Sequence, residues 1–306
     1  YDKNQPQVCD FLTRLGSLLA EFPDAIALGE VGATELRARE LMQEYQAPGR
    51  LHLAYTFDLL SPEFSATHFR DVLARDAQEA TNVWRCLSFS NHDIRRTASR
   101  FSPDGTQTTP IASLAMALLL SLRGTPCIYQ GEELGLTEAD VPYEKLVDPY
   151  GIAFWPKFKG RDGCRTPMPW NHDQPHAGFS TSTDEPWLPI PDDHCGMAAD
   201  LQISAADTLF QQTKALVALH RTQKAFHTAQ LNVLDSPENM LVFERGVGAS
   251  KMLCVFNLSI DKIDFQLPDA WMHAPTVAQG GEITTTAETG PHRYTAWSWH
   301  FISSHS

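Results

Sequence analysis

The chain has 306 residues, 42% of them hydrophobic and 20% charged, with 24 basic against 37 acidic side chains and a formal net charge of −13. This is a globular composition with enough chain for a sizeable core. The negative balance argues against a nucleic-acid or anionic-membrane partner, either of which calls for a basic face.

In chain order, Gln7 to Ala20 carries Val8, Phe11, Leu12, Leu15 and Leu19 at helical spacing. A short apolar run follows, Ala25 to Gly29, and then a polar helix pattern from Ala33 to Tyr45. Leu51 to Phe57 reads as a strand, and Ser65 to Ala80 as a helix with Phe69, Val72 and Leu73 on one face. Trp84 to Phe89 is the next strand, Pro110 to Leu122 an apolar helix with proline near its start, and Thr125 to Tyr129 a strand. Strand and helix thus alternate four times, which predicts parallel strands joined by crossover helices and buried on both faces. The apolar run Ile111 to Leu122 is too short to span a bilayer.

From Gln130 to Ala205 the rhythm stops. Nine of the 20 prolines fall between Pro142 and Pro191, together with Trp155, Trp170 and Trp187. Disordered linkers are poor in aromatics, so this stretch reads as an ordered loop at a functional site. Ala206 to Ala225 is a last amphipathic helix. Beyond it lie short strand-like segments: Leu231–Leu234, Met240–Glu244, Met252–Leu258, Lys262–Leu267, Glu282–Thr286 and Arg293–Trp299. They predict a small antiparallel β domain over residues 226–306. The six cysteines show no C-x-x-C pair and read as free thiols, with one or two disulfides as the alternative. No signal-like segment is recognisable, so a cytoplasmic location is expected, with secretion left open.

Chemistry is sought at the C-terminal ends of parallel strands, where α/β barrels carry their reacting groups. The first strand ends Leu28-Gly29-Glu30-Val31-Gly32. A carboxylate there is expected to be desolvated, which raises its pKa and suits it to proton donation; a helix-capping turn is the competing role. The third strand ends Ser90-Asn91-His92-Asp93. Amide, imidazole and carboxylate at one strand end suit sugar hydroxyls and a cationic transition state; a polar loop with a capping aspartate is the alternative. The fourth strand leads into Gly131-Glu132-Glu133, whose acids are expected to hydrogen-bond the rim.

Three strings, Gly29-Glu30-Val31, Phe89-Ser90-Asn91-His92-Asp93 and Gly124-Thr125-Pro126 through Tyr129, Gly131 and Glu132, resemble motifs of the α-amylase family of glycoside hydrolases, family 13. The blocks Leu51–Asp58 and Gly160–Trp170 resemble its bacterial α-glucosidase and oligo-1,6-glucosidase branch. The resemblance covers about the first 225 residues and implies an α/β fold: the C-terminal half of a (β/α)8 TIM barrel, strands 5 to 8, over residues 1–225, closed by an antiparallel β-sandwich.

By the same resemblance, Glu30 is the general acid/base and Asp93 the transition-state-stabilising carboxylate. His92 and Asn91 bind glucose hydroxyls, Arg165 clamps the non-reducing end, and Phe57 walls the acceptor site. Arg95 and Arg96 either orient Asp93 or lie at the surface. The family's nucleophile block, G-[FY]-R-[LIMV]-D, occurs nowhere in the chain. The pattern puts it upstream of Tyr1, along with any structural calcium site, so no metal or cofactor is expected here. The expected partners are an α-glucoside or malto- or isomalto-oligosaccharide and an N-terminal half-barrel, missing or separate. The expected activity is a retaining exo-α-glucosidase, possible transglucosylation included, inactive as this chain alone. Sucrose isomerase or glucosyltransferase of the same family is the first alternative, and a non-catalytic amylase-fold binding protein the second.

Overall fold

A computed structural model describes residues 4–33, 35–55, 57–78, 84–285 and 290–304. Thr34 and Thr56, the end of the third expected helix (Glu79 and Ala80) and Thr286 lie outside the described residues.

The first part alternates as anticipated: α1 (Val8–Leu19), β1 (Leu28–Glu30), α2 (Glu35–Tyr45), β2 (Leu53–Tyr55), α3 (Ala66–Gln78), β3 (Cys86–Leu87), α4 (Thr97–Phe101), α5 (Thr108–Ser121) and β4 (Thr125–Pro126). β1 pairs in parallel with β2, and β3 with β4. Regular pairing spans only two or three residues per strand, shorter than the apolar runs suggested.

Burial on both faces holds for β3 but not for β1. Ile26 is 70% exposed and Leu28 46%. β1 has a single strand partner among the described residues, so its outer edge is uncovered there. Phe11, Leu18 and Phe22 are likewise exposed.

Helix α5 is apolar around its whole circumference because it is buried on all sides. Ten of its residues, from Ile111 to Ser121, are buried. Its side chains join Phe69, Phe89 and Leu87 of the strand–helix part to Leu241, Phe243, Phe256 and Phe301 further on, in one continuous core.

The segment after β4 is ordered, and it contains short helices that the proline-rich sequence hid. These are α6 (Pro149–Phe154), α7 (Asp192–Cys195) and α8 (Ala199–Ser204), with several 3-10 turns. Helix α9 (Leu209–Thr222) starts at Thr208, whose hydroxyl caps the Gln211 amide.

The final part holds β5 (Leu231–Val233), β6 (Met240–Val247), β7 (Ser250–Asn257), β8 (Ile263–Phe265), β9 (Thr276–Gly280), β10 (Ile283–Thr285), β11 (His292–Tyr294) and β12 (Trp299–Ser303). One sheet has the order β5-β6-β7-β12-β9 and the other β10-β11-β8. Strands β6 and β7 are buried on both faces. Met240, Val242, Leu253 and Val255 pack toward Phe265 and Tyr294, while Leu241, Phe243, Cys254 and Phe256 face α5.

Two features depart from the sequence expectation. β9 was not anticipated, and Arg293–Trp299 is two strands rather than one. The break is a turn in which Trp297 takes φ 52 and the Ser298 amide donates to Thr295 O. All six cysteines are free thiols. No helix among the described residues is long and apolar enough to cross a membrane.

Candidate active site

The parallel register of β1 and β2 sets Glu30 directly beside Tyr55. Register partners on parallel strands point to the same face, and the Tyr55 hydroxyl donates to Glu30 Oε2. Burial, and then this contact with Glu30, push the Tyr55 phenol pKa upward. Glu30 itself is exposed, contrary to the expectation of a desolvated carboxylate. The reason is the uncovered edge of β1.

The Tyr55 hydroxyl also accepts from Asn91 Nδ2 at 3.5 Å, and Asn91 Oδ1 accepts from the Asp93 amide at 2.9 Å. Glu30, Tyr55, Asn91 and Asp93 therefore stand in one hydrogen-bonded line along the strand ends. Asn91 is buried, which suits a spacer between the two acids better than an open ligand contact.

The Asp93 carboxylate is held asymmetrically. Arg165 Nη2 at 2.6 Å, Arg161 Nη1 at 3.0 Å and His92 Nε2 at 3.6 Å all converge on Oδ1. Asp93 Oδ2 accepts no hydrogen bond among the described residues. Glu30 repeats this pattern, with Oε2 engaged and Oε1 unengaged there. Each acid thus has one oxygen fixed by the protein and one without a hydrogen bond among the described residues. Arg165 Nε also donates to His92 O at 2.6 Å, tying the loop that carries it to the third strand end. The His92 side chain is 60% exposed. Phe57 follows β2, is 42% exposed, and lies against Gly32, where an added Cβ would sit 3.5 Å from its ring.

Arg95 and Arg96 do not orient Asp93. Arg95 is exposed, and Arg96 is buried with its guanidinium on Gln130 O at 2.8 Å and Cys164 O at 3.2 Å. Arg161 takes the orienting role instead, brought to Asp93 by the return of the loop after α6. It sat in the Gly160–Trp170 block beside Arg165, but spacing alone gave no reason to choose it. Tyr55 was also missed; a tyrosine register-paired with a rim glutamate was the available signal.

The expectation for the fourth strand end holds. Glu132 Oε1 accepts from Thr97 Oγ1 at 2.7 Å and Oε2 from the Tyr129 amide at 2.9 Å, and burial raises its pKa. Glu133 Oε2 accepts the Gly131 amide at 2.8 Å. Among the described residues no group of three or more His, Cys, Asp or Glu is gathered to hold a metal ion.

Two acids linked along the C-terminal rim of parallel strands, one clamped by arginines, on a barrel segment closed by a β domain: this is the architecture of the (β/α)8-barrel glycoside hydrolases. The chain belongs to the α-amylase family, since residues 1–229 match its family profile, described as "Alpha amylase, catalytic domain". Its relatives place it in the glucosidase branch. It is 40% identical over 270 residues to a probable alpha-glucosidase of Rhizobium meliloti, covering 88% of this chain and 48% of that protein. It is 27% identical over 306 residues to an oligo-1,6-glucosidase of Heyndrickxia coagulans, covering 88% of this chain and 54% of that protein. The chain thus spans about half the length of these relatives.

Among solved structures, an alpha-glucosyl transfer enzyme, XgtA, superposes with a TM-score of 0.84 at 38% identity, covering 98% of this chain and 54% of its own. The trehalulose synthase MutB of Pseudomonas mesoacidophila MX-45 gives a TM-score of 0.82 at 22% identity, covering 98% of this chain and 59% of its own, a likeness of fold.

Proposed function

We propose that this chain carries part of the active site of a retaining, exo-acting α-glucosidase that releases terminal α-linked glucose from short oligosaccharides or α-glucosides. The observation that carries the reading is the hydrogen-bonded line from Glu30 through Tyr55 and Asn91 to the Asp93 backbone amide, with one oxygen of each carboxylate accepting no hydrogen bond among the described residues.

In the proposed reaction a carboxylate from outside this chain attacks the anomeric carbon while Glu30 protonates the leaving oxygen. Water then loses its proton to Glu30 and attacks the anomeric carbon, displacing that carboxylate and releasing glucose. Asp93, its Oδ1 neutralised by Arg161 and Arg165, directs Oδ2 to the sugar and stabilises the oxocarbenium-like transition state. His92, Asn91 and Arg165 act at the glucose end, Asn91 chiefly by spacing the two acids. Phe57 offers its exposed ring to the acceptor. Residues 1–225 act as the second half of the barrel and 226–306 as the β domain that closes it.

Retaining hydrolysis needs two carboxyl groups roughly 5–5.5 Å apart, one of them the nucleophile. The sequence holds no nucleophile block, so these 306 residues alone are expected to release no glucose. Joined to the part of the Rhizobium meliloti relative that this chain leaves uncovered, the completed barrel is expected to release glucose from maltose, isomaltose or sucrose. No glucose from any of the three, in a folded barrel, defeats the hydrolase reading. A second reading, transfer of glucose to a sugar or alcohol acceptor, is favoured by the 38% identity to an alpha-glucosyl transfer enzyme. Glucoside products in excess of free glucose would select it.

A further inference from the structure

The structure assigns Asp148 the role of a positioning residue: it holds Arg161 in the one orientation that lets Arg161 fix Asp93. This inference rests on the reading of Asp93 as the transition-state stabiliser. Asp148 is the N-cap of α6, and its side chain is fully buried.

Both of its oxygens are spent. Oδ1 accepts from Arg161 Nη2 at 2.9 Å and from the Tyr150 amide at 3.2 Å. Oδ2 accepts from Arg161 Nε at 2.9 Å and from the Arg161 amide at 2.8 Å. The two parallel N–H···O bonds to Nε and Nη2 form a planar fork. The fork leaves Nη1 as the end of the guanidinium that reaches Asp93 Oδ1, at 3.0 Å. The Arg161 guanidinium also lies over the Tyr150 ring, 5.2 Å from its centroid.

The cradle is built, not incidental. Asp162 Oδ2 accepts the amides of Val147 and Asp148 at 2.7 and 2.9 Å, which fixes the backbone carrying Asp148. The segments bearing Asp148 and Arg161 approach through two glycines. A Cβ at Gly160 would stand 2.8 Å from Gly151 Cα and 3.0 Å from Asp148 Oδ2, and Gly160 sits at φ +82 besides. A flexible arginine beside Asp93 would sample many rotamers. Clamped by a buried carboxylate it has one, and Asp93 Oδ2 then meets the sugar in a fixed direction. The Arg161 hydrogen bonds hold the Asp148 carboxyl far below the usual carboxylate range, so the fork stays charged through the working pH range.

The test compares D148N, R161M and the double variant in the completed barrel, with maltose as substrate and thermal unfolding as the fold control. D148N keeps the shape of the side chain and loses the charge. Its kcat is expected to fall on the order of 100-fold with KM changed far less, because the misaligned group acts in the transition state. R161M is expected to fall about as far, and the double variant no further than R161M, because both act through one contact. A D148N kcat equal to wild type in a folded protein, or losses that add in the double variant, overturns the inference. If D148N does not fold, R161K decides, since lysine keeps the charge but cannot make the planar fork to Asp148: unchanged kcat overturns the inference, and a loss on the order of 100-fold with little change in KM upholds it. E30Q separates the two levels. Full turnover in E30Q defeats the glucosidase reading and this inference with it. An inactive E30Q beside fully active D148N and R161M defeats the positioning of Asp93 alone.

Discussion

The strand ends of the barrel segment and the paired strands β6 and β7 are built on opposite terms. β6 and β7 run eight residues each, exchange a full antiparallel ladder, and bury nearly every side chain on both faces. The barrel strands pair over two or three residues, and their terminal acids are exposed or partly so. Stability is concentrated where the chain closes on itself. The proposed site lies where strands stop and loops return with arginines. Glu30 and Asp93 are therefore held by side-chain bonds more than by burial among the described residues, and a single lost contact should disturb function there while leaving the fold largely intact.

That contrast can be broken in four places. The largest stability effect is expected from Phe256→Ala, which empties a fully buried site stacked on Phe243 with ring centroids 5.8 Å apart. Urea unfolding should show a loss of about 4 kcal/mol. A loss under about 1 kcal/mol would mean that β6 and β7 do not form the stabilising core.

Acidification comes next. His300 is buried, donates to or accepts from Thr276 Oγ1 and Tyr294 OH, and faces His292 at 5.8 Å between ring centroids. Burial, reinforced by His292, pushes its pKa from 6.5 down to about 4. The unfolded chain therefore binds a proton before the native one does. Stability is full above pH 6.5 and declines as pH falls toward about 4, by about 3 kcal/mol in total. His300→Gln should flatten that part of the stability–pH curve. An unchanged slope would place the acid sensitivity elsewhere.

A smaller effect is expected from R165M. The variant removes the shortest contact on Asp93 and the bond to His92 O, and should cost under about 1 kcal/mol of stability while raising KM for maltose about tenfold. Tyr55→Phe sharpens the comparison furthest. It cuts the line between Glu30 and Asn91 at an exposed rim, so the unfolding midpoint should hardly move while kcat falls a few-fold. A large loss of stability from Tyr55→Phe would show that the rim is structural.

The same contrast explains what the sequence disclosed. Glu30 and Asn91-His92-Asp93 were legible because each is a contiguous string at the end of an apolar run. The alternation of elements and the antiparallel tail were legible from periodicity. Arg161 and Asp148 were not, because Arg161 reaches Asp93 only by a loop folding back across 68 residues of sequence, and Asp148 acts only through Arg161. The exposure of Glu30 was misjudged because a short apolar run was equated with a buried strand. β9 escaped because its pattern, Thr276-Val277-Ala278-Gln279-Gly280, is mostly exposed and lacks an apolar stripe. The true lengths of β6 and β7 escaped because their hairpin ends, Arg245-Gly246-Val247 and Ser250-Lys251, carry charged, glycine and serine residues that read as turn.

The central claim is that Glu30 delivers the proton to the leaving oxygen. It is tested most directly by leaving-group dependence in E30Q of the completed barrel. Maltose, whose departing sugar needs protonation, should be turned over at least about 100-fold more slowly than by the wild type, while a dinitrophenyl α-glucoside, whose phenolate leaves unassisted, should still be attacked at a near-normal rate in the first step. Equal loss on both substrates, or no loss on either, would contradict it.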